Sequence, residues 1–327
     1  MAIKSIIHNL FRFFGLKFSR TVSSFGNKMA VYNIKKNEYN IHGDKIFFKE
    51  LDLDIPLSNA KPILERYQNS LLLSKKGGFI FFVNEGGELF AKNEKVQFKI
   101  NDEEELFILS EVFLEGAYNL ISPTQKKIAL IDVGMNVGIT TLFFASKENV
   151  DKVFSFEPFQ PTFSMALQNI YLNKEVSAKI HANNFGLAKE DAEITVSYSP
   201  KEKGRMGTKG LPTSEGYIAK SVSSQLMHLK AADEEFSNIK EQVKDHFVVC
   251  KIDTEGAEYE IIDSLHNANL LTIADVYFIE WHEIKPVDIV AKLRSANYQV
   301  IETAISLLHS GMIYATKSSD LNKEILI

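Results

Sequence analysis

The stretch Leu130–Ala145, LIDVGMNVGITTLFFA, runs from an apolar segment into an aspartate, through a turn with two glycines, and into a second apolar segment. That order predicts a short strand ending at Asp132, a tight turn, and a helix from Ile139 to Ser146. Gly134 and Gly138 frame Asn136 in a G-x-N-x-G turn. Glycine permits sharp curvature and close approach of the backbone to a ligand, and the first turn of the helix offers free N–H groups. The turn lacks the G-x-G-x-x-G of a dinucleotide site and the Lys-Ser/Thr pair of a phosphate loop. An acid at Asp132 would repel phosphate. It suits a ligand carrying an amino group or a sulfonium, because opposite charges attract at short range.

Downstream, strand-like and helix-like segments alternate. KVFSFEPF is a second strand ending at Glu157, where an acid can accept hydrogen bonds from ribose hydroxyls, and PTFSMALQNIYLN is its helix. SAKIHANNFGL supplies a third strand, with Asn183 or Asn184 placed near an adenine and Phe185 as an apolar surface. HFVVCKIDTEGAEYEIIDSL gives a fourth strand and helix, ADVYFIEWHE a fifth strand, and YQVIETAIS with SGMIYATK two closing strands. The expected fold class is α/β: a mostly parallel Rossmann-like sheet with an antiparallel last strand and helices on both faces. Ligands in such sheets lie beyond the carboxyl ends of the strands. Acid, glycine turn and second acid together favour S-adenosylmethionine over a dinucleotide.

The whole chain has 327 residues, 45% hydrophobic and 24% charged, with a formal net charge of −5. This composition describes a globular protein and gives no sign of a dedicated nucleic-acid binder. Cys250, the single cysteine, excludes an internal disulfide and a cysteine-cluster metal site, and its apolar surroundings indicate packing. Three regions are expected: residues 1–27 as an amphipathic helix, 28–107 as a small α+β region, and 108–327 as the ligand-binding domain. Within residues 1–20, Ile3, Ile6, Ile7, Leu10, Phe11 and Phe14 recur at helical spacing beside Lys4, Arg12, Lys17 and Arg20. Such a helix docks on its own domain or on a second subunit, as in a homo-oligomer, or lies on an anionic membrane surface; docking is preferred. No secretory signal is evident, so a cytoplasmic protein is expected, with peripheral contact at the inner membrane surface as the variant.

Six segments in order resemble the FkbM family of S-adenosylmethionine-dependent methyltransferases: EVFLEGAYN, IDVGMNVGITTLFFA, VFSFEPFQPTFSMALQNIYLN, NNFGL, KIDTEGAEYEIIDSL and FIEWHE. The resemblance covers roughly residues 108–318. It implies a class I Rossmann-like fold and methyl transfer to an oxygen or nitrogen of a small molecule or glycan, most often a sugar hydroxyl. It implies that Asp132, Gly134, Asn136 and Gly138 hold the methionine part of the cofactor, Glu157 the ribose, and the region of Asn184 the adenine. Met135 departs from the small residue usual in that turn.

Methyl transfer to a hydroxyl requires a proton acceptor and an in-line geometry. Glu280 and His282 share a face of the fifth strand, and Asp253 ends the fourth. His282 is expected as the base, because an ordinary histidine titrates near working pH, with Asp253 or Glu280 orienting it or binding the hydroxyl. Glu258 and Glu260 are assigned to structure or solvent. A divalent cation held by Asp253, Glu280 and His282 is the less favoured alternative. Residues 198–222, YSPKEKGRMGTKGLPTSEGYIAKSV, form a basic, glycine-rich insertion with little secondary-structure signal. It is expected to touch an acidic, phosphorylated or nucleotide-linked acceptor, with Arg205, Tyr217 and Glu255 as contacts.

Overall fold

The computed structural model describes residues 29, 31–118, 127–200, 203, 206–207, 223–304 and 310–318. The amphipathic segment 1–20 and the expected acceptor contacts Arg205 and Tyr217 lie outside them. Among the described residues no helix is long and apolar enough to cross a membrane.

The chain begins with a three-stranded meander, β1 (Tyr39–His42), β2 (Lys45–Phe48) and β3 (Leu53–Pro56), followed by helices α1 (Lys61–Glu65) and α2 (Tyr67–Gly77). A second meander follows: β4 (Ile80–Val83), β5 (Leu89–Lys92) and β6 (Gln97–Ile100). The β4–β5 connection is a hairpin turn over Asn84–Gly87: the Gly87 N–H donates to Asn84 O at 3.0 Å, and Gly87 takes φ of 80°. Helix α3 (Glu103–Ser110) starts on Asp102, whose Oδ1 accepts from the N–H groups of Glu104 and Glu105 at 3.1 and 3.3 Å, as an N-cap aspartate should. It widens into a π turn over Glu111–Glu115.

A seven-stranded sheet then forms from β7 (Ile128–Val133), β8 (Val150–Phe156), β9 (Ile180–Asn183), β13 (Phe247–Ile252), β14 (Val276–His282), β15 (Tyr298–Glu302) and β16 (Ser310–Lys317). Its order is β15-β16-β14-β13-β7-β8-β9. Neighbours from β14 to β9 run parallel, and β16 pairs antiparallel with both β14 and β15. All residues of β7 and β13 are buried, the pattern of central strands covered on both faces. Helix α4 (Ile139–Ala145) is buried all round. Helices α5 (Gln160–Leu172) and α6 (Lys174–Ser177) link β8 to β9.

The segment between β9 and β13 builds its own small sheet. β12 (Ser223–Ala231) pairs parallel with β10 (Gly186–Ala188) and antiparallel with β11 (Ala192–Tyr198), and α7 (Ala232–Val243) follows. The insertion expected without regular structure is thus bracketed by a paired β11 and β12. Helices α7, α8 (Glu258–Asn267) and α9 (Val287–Ser295) cover one sheet face, where Cys250 packs among buried apolar side chains.

On the opposite face, the described residues from Met29 to Leu109 share one apolar core with the sheet: Phe48, Tyr67, Phe98 and Leu109 belong with Leu130, Phe144, Val249 and Phe278. Asn169 on α5 and Asn173, which caps it, strengthen this junction. Asn173 both accepts from Gln97 N at 2.8 Å and donates to Gln97 O at 2.7 Å, and Asn169 accepts from Lys99 N at 2.9 Å. The edge of β6 therefore finds partners in helix side chains where another strand would otherwise pair.

Candidate active site

The glycine turn lies where the carboxyl ends of β7, β8 and β13 converge. Gly134 N and Met135 N both donate to Phe156 O, at 3.0 and 2.9 Å. Asn136 takes φ of 52°, a conformation asparagine tolerates, and its Oδ1 accepts from Val137 N at 2.8 Å. Gly134, at φ of 86°, presses against β13 so closely that a Cβ there would sit 1.8 Å from Asp253 O. Met135 packs under the turn against Phe163, Ala166 and Ile170 of α5, away from any ligand.

Above the turn opens a cleft of about 600 Å³, part of it open to solvent. It is lined by Gly134, Asn136 and Glu157, by Pro158, Phe159, Gly186 and Leu187, and by Asp253, Thr254 and Glu255. Met206 and Gly207 of the insertion close over it, with Gly207 so near that a Cβ would lie 2.2 Å from Glu255 O.

Glu157 is 5% exposed, and its two oxygens accept from Asn136 N and Phe159 N, each at 3.0 Å. Burial pushes its pKa up to about 7 against the pull of those amides. A carboxylate has further lone pairs to offer a vicinal diol. The apolar side formed by Phe159 and Leu187 suits a flat heterocycle.

Several residues expected at the ligand stand elsewhere. Asp132 does not line the cleft. It is fully buried, its Oδ2 accepts from Thr141 Oγ1 at 2.6 Å, and its Oδ1 lies 3.4 Å from Lys251 Nζ. The charge expected to meet a ligand cation is thus met by a lysine of the chain itself. Gly138 caps α4 with φ of 84° and packs against Ala166. Asn184 spends its amide on Glu157 O at 2.9 Å, and the Phe185 ring packs against Phe156, tilted by 54°, with the Lys230 ammonium 4.6 Å from its centre. The cleft at that end is walled by the next two residues, Gly186 and Leu187.

At the other end, four carboxylates surround one histidine. His282 lies 3.3 Å from Glu258 and 3.6 Å from both Glu255 and Glu280. Burial alone would lower its pKa, but hydrogen bonds to Glu258 and Glu280 and the charges of Glu255 and Asp253 raise it to about 11. The imidazole is therefore protonated at neutral pH and has no lone pair to take a proton, which corrects the expectation that His282 is the base. Glu258 is wholly structural: fully buried, it accepts from Thr254 Oγ1, Gly256 N and His282 N, at 3.1, 2.8 and 2.8 Å. Glu260 is exposed.

Glu255 lines the cleft in a left-handed conformation, φ of 54°. Burial first, then the charges of Asp253, Glu280 and Glu258, push its pKa up to about 8 against the attraction of His282. Donor atoms of Asp253, Glu255 and His282 lie within 4.8 Å of one another, so this trio, with Glu255 in the place expected of Glu280, has the spacing to hold a cation. Glu111, on the π turn, adds another carboxyl, pushed up to about 7 by burial and by Glu280, Glu115 and Asp253.

Two lysines were not singled out by sequence reasoning. Lys251 of β13 is 3% exposed and donates to Gly134 O at 2.6 Å between Asp132 and Asp253. Burial would strip its proton, but those two carboxylates outweigh it and raise its pKa. Lys203 of the insertion is buried against Asp102 and Glu105. The signal for Lys251 was available: a charged residue inside an all-apolar central strand needs a partner.

A 25% identical relative over 180 residues is "Methyltransferase 1" of Beauveria bassiana (strain ARSEF 2860), the match covering 49% of this chain and 66% of that one. "Methyltransferase sdnD" of Sordaria araneosa is 22% identical over 213 residues, covering 59% of this chain and 82% of that one. The match to the first relative thus takes in just under two thirds of its length. Among solved structures, the methyltransferase FkbM from Methylobacillus flagellatus KT is similar at a TM-score of 0.41 and 12% identity, over 63% of this chain and 47% of that one. The family model described as "Methyltransferase FkbM domain" matches residues 132–300, more than half of the chain, which therefore belongs to the FkbM methyltransferase family.

Proposed function

We propose that this chain transfers the methyl group of S-adenosylmethionine to a hydroxyl of a small-molecule or glycan acceptor, a sugar hydroxyl foremost. The observation that carries the reading is one cleft lined both by the Gly134 turn and Glu157 and by Asp253 and Glu255. Bound there, the cofactor supplies an electrophilic methyl on a sulfonium. Glu157 would take the ribose hydroxyls, the Gly134–Asn136 turn the methionine part, and Phe159 with Leu187 the adenine.

Glu255, on the cleft wall and with its pKa raised to about 8, can receive the acceptor's proton once it is ionised. Transfer should therefore quicken as pH rises through that value, and Asp253 is placed to orient the hydroxyl toward Glu255. His282, charged and ringed by acids, fixes the Glu255 and Glu280 carboxylates and keeps the acidic cluster from expelling itself by like-charge repulsion. A second reading draws on the compactness of Asp253, Glu255 and His282: a divalent cation held there would acidify the hydroxyl directly.

Calorimetry with S-adenosylhomocysteine and with NAD, followed by methyl transfer from labelled cofactor to a panel of free and nucleotide-linked sugars, tests the reading. Expected are binding of the first ligand only and labelled sugar product, with Glu255→Gln slowing transfer by about 10²–10⁴-fold. Loss of activity with chelator and recovery with Mg²⁺ or Mn²⁺ would establish the second reading. Failure to bind S-adenosylhomocysteine would overturn both.

A further inference from the structure

Lys251 stands at the one point where the glycine turn, the motif aspartate and the acidic end of β13 meet. Its ammonium donates to Gly134 O at 2.6 Å and lies 3.4 Å from both Asp132 and Asp253. The register sets this up: Lys251 pairs with Asp132 across β13 and β7, and Asp253 N continues the ladder by donating to Val133 O at 3.0 Å. Lys251 and Asp253 emerge on the same face, two residues apart. Gly134 itself cannot carry a side chain without striking Asp253 O. Backbone contact and lysine bridge therefore tie the same two segments together, and both segments line the cleft.

The bridge is unusual for its expense. A lysine so buried must replace all the water hydrogen bonds of its ammonium, and replacing a whole buried ion pair by apolar or neutral groups is often neutral or stabilising. Asp132 gains little more, since its Oδ1 has no hydrogen-bond partner among the described residues and meets the lysine only at ion-pair distance. Packing alone would not call for this arrangement. What the ammonium adds is a fixed orientation: it holds the Gly134 carbonyl by a hydrogen bond and keeps the Asp253 carboxylate beside the turn.

We infer that Lys251 is a positioning residue, which locks the cofactor turn to the acidic end of β13 and so sets the shape of the cofactor site. The inference rests on the reading of the cleft as a site for S-adenosylmethionine. It separates from a purely structural role because the buried charge can be removed in pairs. Lys251→Met alone would leave Asp132 buried and unpaired, and the fold would suffer. Lys251→Met with Asp132→Asn removes both buried charges, while Asp253, 30% exposed, keeps its own in contact with water. Lys251→Arg keeps the charge but moves the donors, since a planar guanidinium cannot reproduce a point contact among three oxygens.

The experiment is calorimetric titration of S-adenosylhomocysteine into the wild type, the double variant and Lys251→Arg, each first shown by thermal melting to unfold cooperatively. The expected result is a double variant that melts near the wild type yet binds about tenfold or more weakly, the scale of a lost charged hydrogen bond, with Lys251→Arg also weakened. Wild-type affinity in either variant that folds would overturn the inference. Absence of binding by the wild type would instead overturn the reading of the cleft on which it rests.

Discussion

Glu258 Oε1 accepts from both the backbone N–H and the imidazole Nδ1 of His282, at 2.8 and 3.3 Å. The first residue of α8 thereby fixes the last residue of β14. With Nδ1 committed, Nε2 is left facing Glu255 and Glu280, each at 3.6 Å. Both ring nitrogens meet carboxylates, and only the imidazolium can donate at both.

The protonation state of His282 is therefore open to direct test. A histidine raised from 6.5 to about 11 holds its proton more tightly in the folded chain than in the unfolded one. Its stabilisation is complete below the unfolded value and is lost as pH climbs through the folded one. Melting temperature should fall between pH 7 and pH 10, and His282→Gln should flatten that slope. The His282 Cε1–H resonance should not titrate between pH 6 and pH 8 in the wild type; a midpoint near 6.5 would refute the ion cluster as drawn.

Glu157 makes a complementary prediction about ligand binding. Its carboxyl is raised from 4.5 to about 7 by burial, so it is partly protonated at neutral pH. Ribose hydroxyls donate to the anion, so S-adenosylhomocysteine should bind more tightly as pH rises from 6 to 8 and should release protons. Titrations in two buffers of different ionisation enthalpy measure that release. Glu157→Gln should weaken binding by about 1.5–3 kcal/mol, the worth of a charged hydrogen bond, and abolish the pH dependence. A variant that binds as well as the wild type removes Glu157 from the site.

The strand-by-strand reading of the sheet was available in the sequence because each central strand is largely apolar and carries an acid at or just past its carboxyl end: Asp132, Glu157, Asp253. Glycine spacing similarly located the turn. What the sequence could not supply is where those acids spend their charge. Asp132 lies opposite Lys251 only once β7 and β13 pair in register, 119 residues apart along the chain by their numbers. His282 looked like a free base because its acidic neighbours arrive from β13 and α8 as well as β14. Asn184 and Phe185 were placed at the adenine from their position after a strand, but the chain turns there, and hydrogen bonding to Glu157 O takes the asparagine out of the cleft. Position along a strand is local information; charge compensation is not.

The same logic gives a prediction for the insertion. Lys203 donates to Glu105 Oε1 at 2.6 Å and also bonds Asp102, and the lysine and Glu105 side chains are each 1% exposed. This pair anchors the insertion to the start of α3, and Lys203 lines the cleft together with Met206 and Gly207. Lys203→Met leaves Glu105 buried without its cation, which should cost about 3–5 kcal/mol when the carboxylate is charged. Burial already raises the pKa of Glu105, and without the lysine the neutral acid is favoured further. A carboxyl raised in the folded state costs least below its unfolded pKa and most once pH passes its folded one. The loss of melting temperature in Lys203→Met should therefore be larger at pH 8 than at pH 5. Adding Glu105→Gln should restore most of it, because the amide can still accept from Asn101 N, now bonded to Glu105 at 2.6 Å. S-adenosylhomocysteine should bind less tightly to Lys203→Met, since the wall bearing Met206 and Gly207 loses its anchor. Equal melting of Lys203→Met and wild type at both pH values would show that the ion pair does not hold the insertion in place.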